Sequence, residues 1–455
     1  MAIATANSLS LPREFIEVNA AGNRLLDREP CNTEAEMLPC GDWKVGGYLK
    51  TKYLILVPDG MADRPVSAFG NKTPLESAKV PGFTRLANEG HVGTTRTIPK
   101  GISPGSDAGN LSILGLDPAR YPLQRGAIEA AAIGLPARPD TLYFRANFIT
   151  VKQGKIFDYS AGHIDTKNAH KMLASLNREI LNGALQGSQA RLYSGVSYRH
   201  ILAWRAPAPF RARLMSVHLA GPHDLIGSTV ADVFKTIGTL PHVEVMENSR
   251  KVLESHPLNR GRKNPANMVW LWAQGEGKRL PTLRERFGLA GSVVSGVDLI
   301  RGLGKLVGLT VVNLKRSTGY YDTDFVEKRV AALKELKMKD LVYLHIEAPD
   351  EAGHERNASM KKKMIETIDQ KILSPILEEV SKWPDRVRIL AMPDHPTPVS
   401  LGVHTSDAVP YVIWDSKTPR KGQPRFSERL AAKSGRPIPA HSILREKFIQ
   451  VKEGM

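Results

Sequence analysis

Four short stretches of this chain carry residues able to bind metal or attack a phosphorus or carbonyl centre. Met392-Pro-Asp394-His395-Pro-Thr-Pro leads to His404 nine residues after His395, and gives one hard oxygen donor and two imidazoles. Pro58-Asp59-Gly60 places a carboxylate directly after an apolar run. Glu347-Ala-Pro-Asp350-Glu-Ala-Gly-His354 sets an acid and an imidazole four apart, on one face if the turn is helical. Gly105-Ser106-Asp107 offers a hydroxyl at a Gly-flanked turn opening a helix, close to backbone N–H groups and a positive dipole end, where an attacking oxygen and a phosphate are both favoured. Taken singly, each reads equally well as a turn acid, a helix cap or a solvated histidine. Together, carboxylates and imidazoles without thiolate suit Mn²⁺, Zn²⁺ or a similar divalent ion rather than a structural zinc site. Seven donors are too many for one ion and suit two, which in paired sites lie ~3.5–4 Å apart.

The elements that must position these residues are apolar runs just ahead of them. Tyr53-Leu-Ile-Leu-Val57, Leu341-Val-Tyr-Leu-His-Ile346 and Val387-Arg-Ile-Leu-Ala-Met392 read as strands buried on both faces. Prolines 393, 396 and 398 keep the segment after Met392 from being helical. Open α/β sheets place their chemistry at the carboxyl ends of such strands. Further strands are predicted at Ser292–Asp298, Leu309–Leu314 and Val409–Trp414. An amphipathic helix is predicted over Val326–Leu336, with Val326, Val330, Leu333 and Leu336 at helical spacing. Strands alternating with helices imply a largely parallel sheet covered on both faces, an α/β fold.

Between these pieces the texture changes. Residues 127–262 mix strand candidates (Leu142–Val151, His200–Trp204, Val243–Met246) with polar helices, and read as an inserted α/β domain. The core then comprises residues 50–126 and 263–455, resuming with Met268–Trp272, and residues 1–49 form an extension in which Arg13–Leu26 is a short helix candidate. Within the insertion Arg145, His163, Arg199, His200 and Asp224 are the candidate grips for a phosphate and a carboxylate.

Composition sets the outer bounds. A chain of 455 residues with 42% hydrophobic and 24% charged content is long enough for more than one globular domain. No apolar run reaches the length of a membrane span. The first thirty residues lack a basic start followed by an apolar block, so cytoplasm is the expected location and Cys31 and Cys40 are expected to be reduced. A net charge of +17 favours anionic partners. The cations are dispersed and aromatics make up only 6%, so a small anionic substrate is expected and nucleic acid is not.

The phrases Val57-Pro-Asp59-Gly-Met-Ala-Asp63, Pro104-Gly-Ser106-Asp-Ala-Gly-Asn110, Glu347-Ala-Pro-Asp350-Glu-Ala-Gly-His354 and Pro393-Asp394-His395-Pro-Thr-Pro398, in this order, resemble the archaeal-type cofactor-independent phosphoglycerate mutases of the alkaline phosphatase superfamily. The resemblance runs from about Lys52 to Trp414 and implies an alkaline-phosphatase-like fold. It further implies one ion on Asp350, His354 and His404 and a second on Asp59, Ser106, Asp394 and His395. The ions would be Mn²⁺ first, with Zn²⁺, Co²⁺ or Mg²⁺ as alternatives, and no 2,3-bisphosphoglycerate. Ser106 would accept the phosphoryl group of 3-phosphoglycerate and return it to the 2-hydroxyl of glycerate. Two departures fall on the substrate side: Leu123-Gln-Arg-Gly126, where many relatives have an aromatic residue and a glycine before the arginine, and Arg301, where lysine is usual. Some relatives of this type are candidate homoserine kinases, so another phosphotransferase, phosphomutase or phosphatase is the alternative. The chain has no P-loop or kinase-type Gly-rich loop to support an ATP site.

Overall fold

The computed structural model describes residues 50–179, 189–238 and 240–450. The extension with its cysteines and helix candidate lies outside them. In chain order the strands are β1 (Thr51–Pro58), β2 (His91–Arg96), β3 (Thr141–Lys152), β4 (Lys155–Asp158), β5 (Gln189–Tyr193), β6 (Arg199–Arg205), β7 (Met268–Glu276), β8 (Gly291–Val294), β9 (Thr310–Val311), β10 (Leu341–Ile346), β11 (Arg386–Ala391), β12 (Val409–Asp415) and β13 (Ile438–Pro439).

Eight of these form one sheet in the order β13-β2-β12-β11-β1-β10-β8-β9, in which only β12 runs against its neighbours. The central strand β1 pairs in parallel with β10 and β11 (Leu56 opposite Leu344 and Ala391), so three strands end side by side at one edge. Alternation explains why β1 reads as continuously apolar. Leu54 and Leu56 pack against the helices Pro81–Glu89, Phe325–Met338 and Ala358–Ile368, while Tyr53, Ile55 and Val57 pack against Ser106–Ile113, Asp298–Leu306 and the C-terminal turns. Helices thus cover both faces, as the strand–helix alternation predicts.

The segment between β2 and β8 builds a second, antiparallel sheet with its own apolar cluster. Two expectations fail here. Met268–Glu276 does not resume the core sheet; it pairs with β3 over Leu142–Ile149. Val243–Met246 is no strand but part of the helix Pro241–Glu254, opened by a proline at its first position. Three apolar residues in a stretch of four cannot by themselves tell a strand from a buried helical turn. The helix Arg125–Ala132 spans the expected 126/127 boundary and is clamped at both ends of its first turn. A Cβ on Gly126 would collide with the Tyr143 carbonyl, and one on Gly302 with the Ile128 carbonyl. In the first sheet, Leu309–Leu314 shrinks to the two-residue β9. The helix Phe325–Met338 forms as predicted but turns a different face inward. Phe325, Lys328, Ala332 and Leu336 are buried, whereas Val326 and Val330 are exposed.

Candidate metal centre

Each strand end in the middle of the large sheet delivers a ligand-bearing loop to the same edge. Asp59 follows β1, the helix Ala348–His354 follows β10, and Asp394 and His395 follow β11. Two glycines permit the approach. Gly60 adopts φ +60°, and a side chain there would strike Asp350 Oδ1 and Thr397 Oγ1. Gly109 lets the helix Ser106–Ile113 rest on the Asp394 backbone, which brings Ser106 to the pocket.

The donors fall into two groups joined by His395. Asp350, His395 and His404 lie close enough to share an ion, as do Asp59, His345 and Asp394. His354 belongs with the first group: its Nε2 is 3.1 Å from Asp350 Oδ2 and 2.9 Å from His404 Nε2. Asp350 Oδ1 is 3.5 Å from His404 Nε2 and accepts a short hydrogen bond from Thr397 Oγ1. His395 turns Nε2 toward the other group, 3.5 Å from Asp59 Oδ1, 3.4 Å from Asp394 Oδ2 and 3.2 Å from Ser106 Oγ. All seven residues expected as ligands are therefore brought together. Asp59, Asp394 and His395 are fully buried, whereas the side chains of His354 and His404 are 39% and 22% exposed, which puts the first group at the mouth.

Charge shows what the pocket is suited to hold. Burial, and then the charges of Asp394, Glu347 and Asp350, push the Asp59 carboxyl well above its usual range. Burial and Asp350 push Glu347 up to about 8. Burial also opposes ionisation of Asp350, yet hydrogen bonds to His354 and His404 hold its carboxyl well below the usual range. The hydrogen bond to Asp350 raises His354 to about 9. Asp59 Oδ1 is buried with no hydrogen-bond partner. The pair His354 Nε2 and His404 Nε2 turns two ring nitrogens on each other beside a carboxylate. Crowded acids with an orphaned oxygen, and imidazoles converging on one point, are a donor set that divalent cations satisfy by displacing protons.

Three further residues, none among the seven expected ligands, contribute to the site. His345, inside the apolar run of β10, places Nε2 2.9 Å from Asp59 Oδ2. Asn110, one turn after Ser106, donates from Nδ2 to the Ser106 carbonyl (2.8 Å) and to Asp394 Oδ2 (2.7 Å), and its Oδ1 accepts from Tyr343 (2.5 Å). Lys361, fully buried, donates to Asp63 Oδ2 (2.7 Å), to the Thr397 carbonyl (2.8 Å) and to the Ala62 carbonyl (3.2 Å), tying the loop after β1 to the loop after β11. Of these only Asn110 carried a signal, its i+4 spacing from Ser106.

The five candidate substrate residues have a different setting. Arg145 pairs with Glu129 at 2.9 Å and lies over the Trp272 ring at 4.1 Å. Arg199 lies over Tyr198, His163 meets Tyr198 edge-on, and Asp224 is 3.5 Å from His223, whose ring meets Trp272 and Tyr159. These four surround one aromatic cluster of Tyr159, Tyr198 and Trp272, which the sequence did not announce. His200 does not join them. Strand alternation turns it to the apolar face opposite Ala146, where it meets Phe148, accepts from the Gly195 N–H at 3.1 Å and is held by burial at a pKa of about 3. Arg199 also faces a cavity of about 270 Å³ with Arg125 and Arg301.

A largely parallel, doubly covered sheet whose central strand ends present two groups of candidate metal ligands and a serine defines an α/β fold with an enzyme-like site. A family profile for 2,3-bisphosphoglycerate-independent phosphoglycerate mutase matches residues 87–259. The mutase of that name from Methanothrix thermoacetophila is 40% identical over 390 residues, covering 84% of this chain and 96% of that protein. The probable mutase of Geobacter sulfurreducens is 38% identical over 394 residues, with 84% and 96% covered. Among solved structures, the PH0037 protein of Pyrococcus horikoshii is 27% identical with a TM-score of 0.69, over 87% of this chain and 96% of that one. The cofactor-independent phosphoglycerate mutase of Thermoplasma acidophilum shares the fold at 24% identity and a TM-score of 0.57, over 86% and 97%. The chain belongs to the 2,3-bisphosphoglycerate-independent phosphoglycerate mutase family.

Proposed function

We propose that this protein interconverts 3-phosphoglycerate and 2-phosphoglycerate in the cytoplasm, through a phosphoserine at Ser106. The observation that carries the reading is Ser106 Oγ at 3.2 Å from His395 Nε2, at the opening of a helix and beside two groups of divalent-ion donors. Asp350, His354 and His404 would hold one ion, and Asp59, Asp394, His395 and Ser106 the other, Mn²⁺ being the first choice. Ions bound there would supply Lewis acidity that lowers the pKa of the serine hydroxyl and neutralises charge on a phosphoryl group in transit.

The chain's own residues do the rest. Ser106 Oγ, with His395 beside it, would attack phosphorus as the bond to the 3-oxygen of glycerate breaks, the serine proton ending on that departing oxygen, and N–H groups of the opening helical turn would face the phosphoryl oxygens. Asn110 fixes both the Ser106 backbone and Asp394. Arg145, Arg199, His163 and Asp224, around their aromatic cluster, would grip the phosphate and carboxylate of the hydroxy acid. Residues 127–262, with β7 added, would close over the ligand edge as a lid that keeps water from the phosphoserine while glycerate reorients. An enolase-coupled assay with 3-phosphoglycerate and Mn²⁺ tests the reading. Turnover without 2,3-bisphosphoglycerate supports it. Inactivity there, with ATP-dependent phosphorylation of homoserine or net phosphate release, replaces it.

A further inference from the structure

We infer that His345 is a positioning residue of the candidate metal centre, one that fixes which oxygen of Asp59 faces a divalent ion. The inference rests on the two-ion reading and adds to it a residue outside the seven expected ligands. His345 is the one strongly polar side chain in β10, between Leu344 and Ile346, and it is fully buried. An imidazole in such a place needs partners for both nitrogens.

An ionised Asp59, as a bound cation would hold it, selects its tautomer. A carboxylate can only accept, so Asp59 Oδ2 calls for a proton on the Nε2 beside it, and Ser295 Oγ, which accepts from the Val297 N–H (3.1 Å), can turn its own proton to Nδ1, 3.5 Å away. Nδ1 is then the acceptor, and the ring proton sits on Nε2, which donates to Asp59 Oδ2 at 2.9 Å. With Oδ2 engaged, the remaining oxygen, Oδ1, is the buried atom without a partner, and it faces His395 Nε2 at 3.5 Å. Asp394 is anchored through both oxygens, Oδ1 by the Gly60 and His395 N–H groups and Oδ2 by Asn110. Both carboxylates of this group are thus held from behind. Direct ligation by His345 would need the opposite tautomer, a bare Nε2, and would strip Asp59 Oδ2 of its donor. Outer partners of this kind typically govern 10–100-fold in metal affinity.

Calorimetric titration of chelator-stripped, full-length protein with Mn²⁺ tests this, with thermal unfolding as a check on folding. The wild type should bind two ions. His345→Ala should weaken one site by about 10–100-fold and leave the other unchanged. His345→Gln, whose amide can donate to Asp59 as Nε2 does, should restore most of that loss. Ser295→Ala, which removes only the distant hydrogen bond, should weaken the same site by on the order of fivefold, and serves if the alanine variant at 345 does not fold. Unchanged binding by His345→Ala overturns the inference, as does complete loss of one ion in both His345 variants, which would make His345 a direct ligand. A wild type that binds no Mn²⁺ overturns instead the two-ion reading beneath it.

Discussion

The ligand edge of the large sheet and the cationic face of the second sheet contain the same kinds of residue, yet they are organised in opposite ways. At the ligand edge, charged groups are buried, converge from parallel strand ends and are held by further buried donors: Asn110, His345 and Lys361. In the second sheet most of the candidates are exposed, each with a local aromatic or acidic neighbour, and strand alternation sends His200 to the core. The first arrangement fixes geometry before a ligand arrives. The second leaves side chains free to close on one. Under the proposed function, preorganisation at the reacting centre combined with adjustable grips on the substrate would suit phosphoryl transfer within a closing cleft.

Substitutions on the two sides should therefore behave differently. Ser106→Ala should lower kcat by at least about a thousandfold while leaving stability within about 0.5 kcal/mol, because the hydroxyl contributes chemistry rather than packing. Coupled assays and urea unfolding would check both halves, and a variant that loses stability instead would break the contrast. Lys361→Met should cost about 3–5 kcal/mol in urea unfolding, since it leaves Asp63 buried and unpaired. A loss below about 1 kcal/mol, the range of an exposed pair, would show that the loops after β1 and β11 do not depend on this tie.

In the second sheet the largest effect should be on acid stability rather than on chemistry. His242 is buried near Phe144 with neither ring nitrogen hydrogen-bonded, and burial lowers its pKa to about 4. Below pH ~6.5 the unfolded chain takes up a proton there that the folded chain refuses, so stability present above that pH is lost as pH falls toward 4. His242→Leu should flatten this limb by up to about 3 kcal/mol at pH 4, read from unfolding curves between pH 4 and 7. Identical pH slopes in the two proteins would contradict it. The smallest effect is expected at Arg199. Its alanine variant should raise KM for phosphoglycerate by about tenfold with Mn²⁺ affinity unchanged, the loss of one charged hydrogen bond. A variant that instead lost metal would merge the two regions.

The same contrast explains what the sequence made legible. Local signals at the ligand edge are strong: an apolar strand, then an acid and a glycine, or a proline-stiffened Asp-His pair. Parallel register then does what the local reading assumes and brings Asp59, Asp350 and Asp394 to one edge. His345 escaped notice because a histidine in an apolar run looks like core until Asp59 is seen across from it. The second sheet depends on non-local pairing, so β7 joins it although its sequence reads as a strand of the first, and Val243–Met246 is helical although it reads as a strand. On the helix Phe325–Met338, Asp324 caps the first turn and Phe325 is drawn into the core, so Val326 and Val330 are left in solvent. Tertiary packing, not spacing, chose that face.

The central claim is that segments far apart in the chain build one two-ion pocket around a single serine. Anomalous scattering from crystals soaked in Mn²⁺ addresses it most directly. The account predicts two peaks about 3.5–4 Å apart, one against Asp350, His354 and His404 and one against Asp59, Asp394 and His395, with Ser106 Oγ beside them. A pocket without Mn²⁺ peaks, or a single ion bound away from Ser106, would contradict it.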